Sequence, residues 1–354
     1  MSLTLTVNGE RWRAHLRGAA GRMPGLVPVA KGNGYGFTVG GLARRTQWLS
    51  THQERVDTIA VGTYNEIGEV ATRFHGSILV LAPWRPFSPD FDPAFAERVI
   101  HTVGRLSDLT ELLSADPRAR IVLERRTSML RHGFDARDLR EAARILLAAP
   151  HARREGVAFH LPLGSHSHLS EVHRLMTDVV AAGLSATTIW VSHLTGDELA
   201  QLRLTYADFS IRPRVGTALW LGARDALKVT STVLDVHEVE RGEAFGYRGR
   251  TAPKSGHILI VSGGTAHGIG LEAPTGELSL KARASTIARG GLDAVGFVRS
   301  PFTIDGKQRL FAEPPHMQAS MLFLPHGPRV PLIGEEIGVR VRHTTTTFDR
   351  IVIT

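Results

Sequence analysis

Lys31 closes an apolar run and opens a loop rich in glycine, in the stretch "LVPVAKGNGYGF" at residues 26–37. A lysine so placed has two fates. It can snorkel its ammonium into solvent, or, crowded by cations and drawn out of water, it can lose its proton near neutral pH and act as a nucleophile or base. A nucleotide phosphate loop does not fit, because its lysine follows the glycines and precedes Ser or Thr, whereas Lys31 comes first. A second segment, "RPRVGTALWLG" at 212–222, offers Arg214, the amide of Gly216 and the hydroxyl of Thr217. Amides opening a helix, with a hydroxyl beside them, suit an anionic group such as phosphate. A third, "GSHSHLSEVH" at 164–173, carries His166, His168 and His173. Zinc usually asks for a carboxylate or thiolate as well, so the preferred reading is a histidine-rich loop opening a helix, with no metal.

The elements that must position these residues alternate. Strand candidates are "LVPVA" (26–30), "TIAV" (58–61), "ILVL" (78–81), "VIHTV" (99–103), "IVLE" (121–124), "VAFH" (157–160), "TIWVS" (188–192) and "FSIR" (209–212). Between them, "ARDLREAARILLAA" (136–149) and "HLSEVHRLMTDVVAAG" (168–183) space apolar residues at three and four, as amphipathic helices do. Eight alternating strands predict a (β/α)₈ barrel, with a doubly wound open sheet as the alternative. After "LWLGARD" the helical period disappears and turns and strands take over. The expected division is a barrel over 10–222 and a β-strand domain over 223–354, which the strand-like opening at 1–9 can join. In a barrel, chemistry sits at the carboxyl ends of the strands, with phosphate commonly held after the last ones. Lys31 ends the first strand, and Gly216 and Thr217 follow the eighth. An activated lysine, a phosphate cradle and an arginine that could meet a ring nitrogen together suit pyridoxal phosphate.

Composition narrows the partners. Among 354 residues, 42 Lys and Arg against 34 Asp and Glu give a net charge of +8. The basic residues are scattered along the chain without a zinc-finger, RRM-like or basic-arm pattern, so neither nucleic acid nor a membrane is expected as a partner. Cysteine is absent, which excludes disulfides and thiolate metal sites. The amino terminus has no apolar core of signal-peptide length, and no stretch approaches the roughly 18 apolar residues of a membrane span. A cytoplasmic location is the expectation.

"VPVAKGNGYGF" resembles the alanine racemase signature, and "RPRVGTALWLG" resembles that family's "RPGIALYG" segment. "GVAFH" (156–160), "TSMLRHGF" (127–134), "ERGEAFGYRGRT" (240–251) and the closing "TTTTFDRIVIT" are similar to further family segments, in the same order along the chain. The resemblance implies a fold-type-III enzyme: a pyridoxal phosphate barrel with a carboxyl-terminal β domain. It implies that Lys31 holds the cofactor as an internal aldimine, that Tyr35, Gly216 and Thr217 bind its phosphate, that His160 stacks on its ring and that Arg214 meets its nitrogen. Arg131 would face a carboxylate, which the family often supplies as a carbamylated lysine and which Glu124 supplies here. It further implies an amino-acid substrate and a homodimer in which one chain's β domain completes the other's site.

The pattern breaks where racemisation needs its second base. The family's "GYADG" corresponds here to "SGGTAHGIG" (262–270), which puts Thr265 at the tyrosine and His267 at the aspartate. The four tyrosines, Tyr35, Tyr64, Tyr206 and Tyr247, supply no replacement. "PPHMQAS" (314–320) has Gln318 after Met317 where the family favours aspartate. The expected function is therefore an amino-acid racemase-like enzyme acting through a Lys31 aldimine, with Thr265 and His267 at the second catalytic position and alanine racemisation very slow or absent. The alternatives are a one-base enzyme (aldolase, lyase or decarboxylase) and a non-catalytic protein that binds pyridoxal phosphate.

Overall fold

The computed structural model describes residues 2–52, 56–164, 167–271 and 298–354. The chain divides into two compact units: Arg13–Gly222, and Met1–Trp12 together with Ala223–Thr354.

The chain opens with β1 (Leu3–Val7), which belongs to the second unit. The first unit then lays down β2 (Val27–Pro28), β3 (Thr58–Val61), β4 (Ser77–Val80), β5 (Val99–Val103), β6 (Arg120–Arg125), β7 (Arg153–Phe159), β8 (Thr188–Ser192) and β9 (Ser210–Val215). These eight strands form one parallel sheet in the order β2-β9-β8-β7-β6-β5-β4-β3. A parallel bridge between Val29 and Ala60, with Ala30 N–H donating to Ala60 O at 2.8 Å, brings β2 back to β3 and closes the barrel.

The inner layer is apolar: Val29, Ala60, Leu79, Ile100, Val122, Ala158 and Trp190 form one buried cluster. Successive side chains of a strand face opposite ways, so the neighbour of Ile100, His101, turns outward, where its Nδ1 meets the Tyr64 hydroxyl at 2.9 Å. Strand β9 departs from this pattern. It carries arginines at 212 and 214, with the Arg212 guanidinium 4.7 Å from the centre of the Trp190 ring and paired to Asp57. It also runs past the 209–212 segment expected from the sequence. Pro213 lacks an N–H and suggests a strand end, yet Arg212 and Arg214 on either side both pair with β8 and carry the strand through.

The helices form by ordinary means. α1 (Gly9–Arg22), α2 (Val39–His52), α3 (Ile67–Ala71), α4 (Leu106–Ala115), α5 (Ala136–Leu147), α6 (Leu169–Ala181), α7 (Gly196–Thr205) and α8 (Thr217–Trp220) follow in order. Asp135 caps α5 by accepting from the N–H groups of Arg137 and Asp138 at 2.9 and 2.8 Å. Leu139, Ala142, Ala143 and Leu146 then bury one face of it, and Val172, Leu175, Met176 and Val179 do the same for α6. Thr195 and Glu198 form a capping box at α7. The same Glu198 carboxylate accepts from Ser167 Oγ and His168 N–H, which ties down the histidine-rich loop.

The second unit is antiparallel β structure around β10 (Leu227–Val239), β11 (Ala244–Phe245), β12 (Arg250–Thr251), β13 (Gly256–Ser262), β14 (Arg299–Ile304), β15 (Lys307–Phe311), β16 (Ala319–Pro325), β17 (Glu336–Val339) and β18 (Arg350–Ile353). Its main sheet runs β13-β16-β15-β14-β17-β10-β1-β18, and β10 also pairs with β13, so the order returns on itself. β1 lies antiparallel to β10 and parallel to β18. Among the described residues no helix is long and apolar enough to cross a membrane.

Candidate functional site

Lys31 stands at the carboxyl end of β2, and the loop after it explains the glycines. Gly32, Gly34 and Gly36 all take positive φ, and so do Tyr35 (φ 55°) and Thr38 (φ 64°). A run of left-handed residues costs little only where glycine carries most of it. Tyr35 bears the penalty of that conformation, roughly 1–2 kcal/mol, and its ring is buried in return. Its hydroxyl lies against Gly216, where a Cβ would collide with it. Gly216 caps the short helix α8 with no side-chain hydrogen bond, and Trp220 Nε1 of that helix donates to Val29 O at 2.7 Å. The Lys31 loop and the Gly216–Thr217 turn thus meet across Tyr35.

A residue that the sequence did not mark holds this loop. The Glu66 carboxylate accepts from Gly32 N–H at 2.6 Å, from Gly62 N–H at 2.5 Å and from Thr63 N–H at 3.1 Å. It thereby joins the segment after β2 to the segment after β3. The Thr63-x-x-Glu66 spacing of a capping box was the signal available for it.

A cavity of about 190 Å³ opens beside Lys31, lined further by Glu124, Arg131, His132, His160 and Arg214. Burial first, then Arg131 and Arg214, lower the lysine pKa, with Glu66 pulling the other way. Arg214 is buried; its Nη2 donates to Phe159 O at 2.9 Å, while its Nε has no partner. Burial, with Arg131 adding to it against Glu124, brings its pKa down to about 10. Glu124 is buried too, and its Oε2 also lacks a partner. Burial raises its pKa against the pull of Arg214, Arg131 and Arg85. Glu124 and Arg131 line one cavity but form no ion pair, so the direct contact expected between them is not made. Arg131 sits in an exposed turn while Glu124 is sunk in β6.

His160 follows β7. Its Nδ1 lies 3.2 Å from Ser192 Oγ, which also accepts from Leu161 N–H. Burial, then Arg214, Arg131, His193 and Lys31, push its pKa down to about 3, so the ring is neutral at physiological pH. His193, unmarked in the sequence, packs edge-on to it at 5.5 Å with a positive φ of 60°.

Thr265 and His267 lie in the other unit. Thr265 is exposed. His267 is buried: its Nδ1 accepts from Gly264 N–H at 3.2 Å and its Nε2 donates to Asp349 Oδ1 at 3.0 Å. Of the three loop histidines, His166 lies outside the described residues, His168 stands at the start of α6, and His173 bonds the Tyr206 hydroxyl at 2.8 Å.

The residues present fit pyridoxal phosphate. The unpartnered Nε of Arg214 is a donor awaiting an acceptor in a buried place, where an orphan donor is costly. The uncapped amides at Gly216, beside the Tyr35 hydroxyl, offer donors to a phosphate.

Comparison with known proteins agrees with this fold. The chain superimposes on the alanine racemase of Bartonella henselae with covalently bound pyridoxal phosphate, at TM-score 0.72 and 17% identity, covering 100% of both chains. It does so on the alanine racemase of D-cycloserine-producing Streptomyces lavendulae at TM-score 0.71 and 18% identity, covering 100% of this chain and 97% of that one. The histidine racemase of Leuconostoc mesenteroides subsp. sake gives TM-score 0.66 and 14% identity, covering 99% and 98%. A comparison with curated proteins gives no match. Residues 7–221 match the family model of the alanine racemase amino-terminal domain, and the chain belongs to that family.

Proposed function

We propose that this chain is a pyridoxal phosphate enzyme of the racemase type, acting on an amino acid with Lys31 as its base. Lys31 would anchor the cofactor covalently. Tyr35 and the Gly216–Thr217 turn would hold its phosphate, His160 would support its ring, and Arg214 Nε would donate to its nitrogen. The bound cofactor would supply an electron sink that acidifies the substrate's Cα–H bond. Every other step falls to the protein. Lys31, its pKa lowered by burial and by Arg131, has a larger neutral fraction at pH 7 and can take a proton from Cα on its own face. Arg214, still cationic with a pKa of about 10, donates to the ring nitrogen without giving up a proton. Arg131, exposed at the cavity mouth, would receive the substrate carboxylate.

Inversion at Cα needs a second acid on the opposite face. Thr265 occupies the position that the family gives to tyrosine, and a threonine hydroxyl does not exchange protons near neutral pH as a tuned phenol can. That substitution favours a one-base reaction, with proton return from the Lys31 side, over fast racemisation. A homodimer is part of the same reading. Phe87, Leu130 and Leu163 stand on loops after β4, β6 and β7 and are highly exposed, an apolar rim suited to a partner's cover.

The observation that carries the proposal is the buried, unpartnered Arg214 Nε sharing a cavity with Lys31. Borohydride reduction of the loaded protein followed by peptide mapping is the test. A pyridoxyl mass on Lys31 is expected. A tag on another lysine, or none in excess cofactor, defeats the reading.

A further inference from the structure

A second cavity, of about 470 Å³, adjoins the lysine cavity and shares Arg131 and His132 with it. Arg85, Arg105 and Arg126 extend the run of basic side chains around its wall. Two of these guanidinium groups are already engaged: Arg85 with the buried carboxylate of Asp108, and Arg126 with Asp135 at 3.8 Å. Asp135 itself is occupied in capping α5. Asp138 is the other acidic lining residue. With Arg131 given to the substrate's α-carboxylate, Arg105 is the guanidinium of this wall that no carboxylate engages among the described residues. Arg105 and Arg131 form no ion pair among the described residues.

Two further features point the same way. Helix α4 begins at this wall, and Arg105 at its cap position supplies no side-chain acceptor for the first amides. Those amides add donors and a fractional positive charge to the same place. His132, between the two cavities, feels these cations: burial first, then Arg131, Arg85 and Arg105, lower its pKa. The cavity is thus lined for an anion and lies next to the site where a substrate's Cα would lie.

Resting on the functional reading above, we infer that the second cavity receives an anionic side-chain group, a carboxylate or a phosphate, of the amino acid that reacts at Lys31, and that Arg105 selects for it. The Lys31 cavity alone is small, and the adjoining cavity supplies both the room and the charge for a substrate longer than alanine. Charge-assisted hydrogen bonds to guanidinium are stronger than neutral ones, so the distinction between an acid and its amide should be large.

The test is calorimetric titration of the loaded full-length protein with L-glutamate, L-glutamine, O-phospho-L-serine and L-alanine. Glutamate or phosphoserine should bind about tenfold or more tightly than glutamine, and which of the two wins assigns the anion. Arg105→Gln, at an exposed position, should abolish that preference and leave alanine binding unchanged. Equal affinities for glutamate and glutamine would overturn the inference, as would an Arg105→Gln variant that weakens alanine equally. Glutarate, which has no amine to react, separates this claim from the cofactor reading. If the protein takes up no pyridoxal phosphate, the functional reading falls, while glutarate binding that drops about tenfold in Arg105→Gln still supports an anion pocket. Glutarate binding equally to both proteins would remove the pocket.

Discussion

The mouth of the barrel and the turn at 262–270 are both rich in polar groups, but they use them in opposite ways. At the mouth, Arg214 Nε and Glu124 Oε2 are buried without partners, and both residues face the cavity that holds Lys31. In the turn, His267 has both ring nitrogens engaged inside its own unit, and Thr265, proposed above to stand where the family has tyrosine, is exposed. The β unit has orphan atoms too, at Thr230, His257 and Arg309, but these lie on three different strands. Unsatisfied buried groups are expensive, so several gathered at one cavity indicate a ligand that completes them. Satisfied ones indicate structure. The barrel is equipped for chemistry and the turn is equipped to stay folded.

The severest test of that contrast is Lys31→Ala. If the cavity is organised around this amine, the variant should lose covalent cofactor uptake entirely, seen as the absence of any pyridoxyl peptide after reduction. Retained uptake would put the chemistry on another lysine. Next in size is Thr265→Tyr. A well-placed general acid or base typically contributes about 10²–10⁴-fold in rate, so the variant should raise alanine racemisation, followed by polarimetry, by a factor in that range. If the unaltered protein already racemises alanine at rates typical of enzymes, a second base exists elsewhere.

The fold was legible because parallel strands and amphipathic helices have distinct periods. Each of the eight expected strands overlaps an observed one, but β7 begins four residues before its expected segment and β9 runs three residues beyond its own. The candidate site was legible where a motif is contiguous in the chain: Lys31 and Tyr35 share one loop, and Arg214, Gly216 and Thr217 share one strand end. It was not legible where contacts join distant segments. Glu66 reaches back to the amide of Gly32 through tertiary contact, and His193 matters only because β8 ends beside β7. The Glu124–Arg131 pair failed for a different reason. Proximity in sequence put both residues at the same barrel mouth, but burial of one and exposure of the other kept them apart.

The two units should also differ in acid. The buried His101, bonded to the Tyr64 hydroxyl, has its pKa pushed down to about 4 by burial, and His160 is pushed down to about 3. A depressed histidine binds fewer protons folded than unfolded, so stability is complete above the unfolded value of about 6.5 and falls as pH drops toward the folded value. For His101 the loss is at most about 3 kcal/mol by pH 4. Asp349, held low by His267 and Leu3 N–H against the opposing effect of burial, behaves as a depressed acid. Its contribution persists above about pH 4 and disappears only as pH falls through its lowered folded value. Urea melts between pH 7 and 4 should therefore show the barrel weakening, with a contribution in the β unit from His343, whose pKa burial and then Arg224 lower, and His101→Phe should flatten the barrel's slope. A slope unchanged in the variant would mean that other groups set the acid sensitivity.

The smallest effect is expected from His267→Ala, and it bears on the contrast most directly. His267 Nδ1 accepts from Gly264 N–H, so the ring proton sits on Nε2 and is donated to Asp349. Asp349 also accepts from Leu3 N–H at 2.7 Å through its other oxygen, so the imidazole ties the turn after β13 to both terminal strands. Removing it leaves Gly264 N–H without its acceptor and Asp349 with one donor fewer. Each such hydrogen bond is worth about 1 kcal/mol net, so the β unit should lose roughly 1–2 kcal/mol in denaturant melts. Cofactor capture at Lys31 should not change, because both hydrogen bonds of the His267 ring are made inside its own unit. A histidine that served as the missing second base would behave differently: its loss would lower turnover more than about a hundredfold while leaving the melt nearly intact. The ratio of those two losses, stability against turnover, separates a clamp from a catalyst, and the hydrogen bonds at both ring nitrogens favour the clamp.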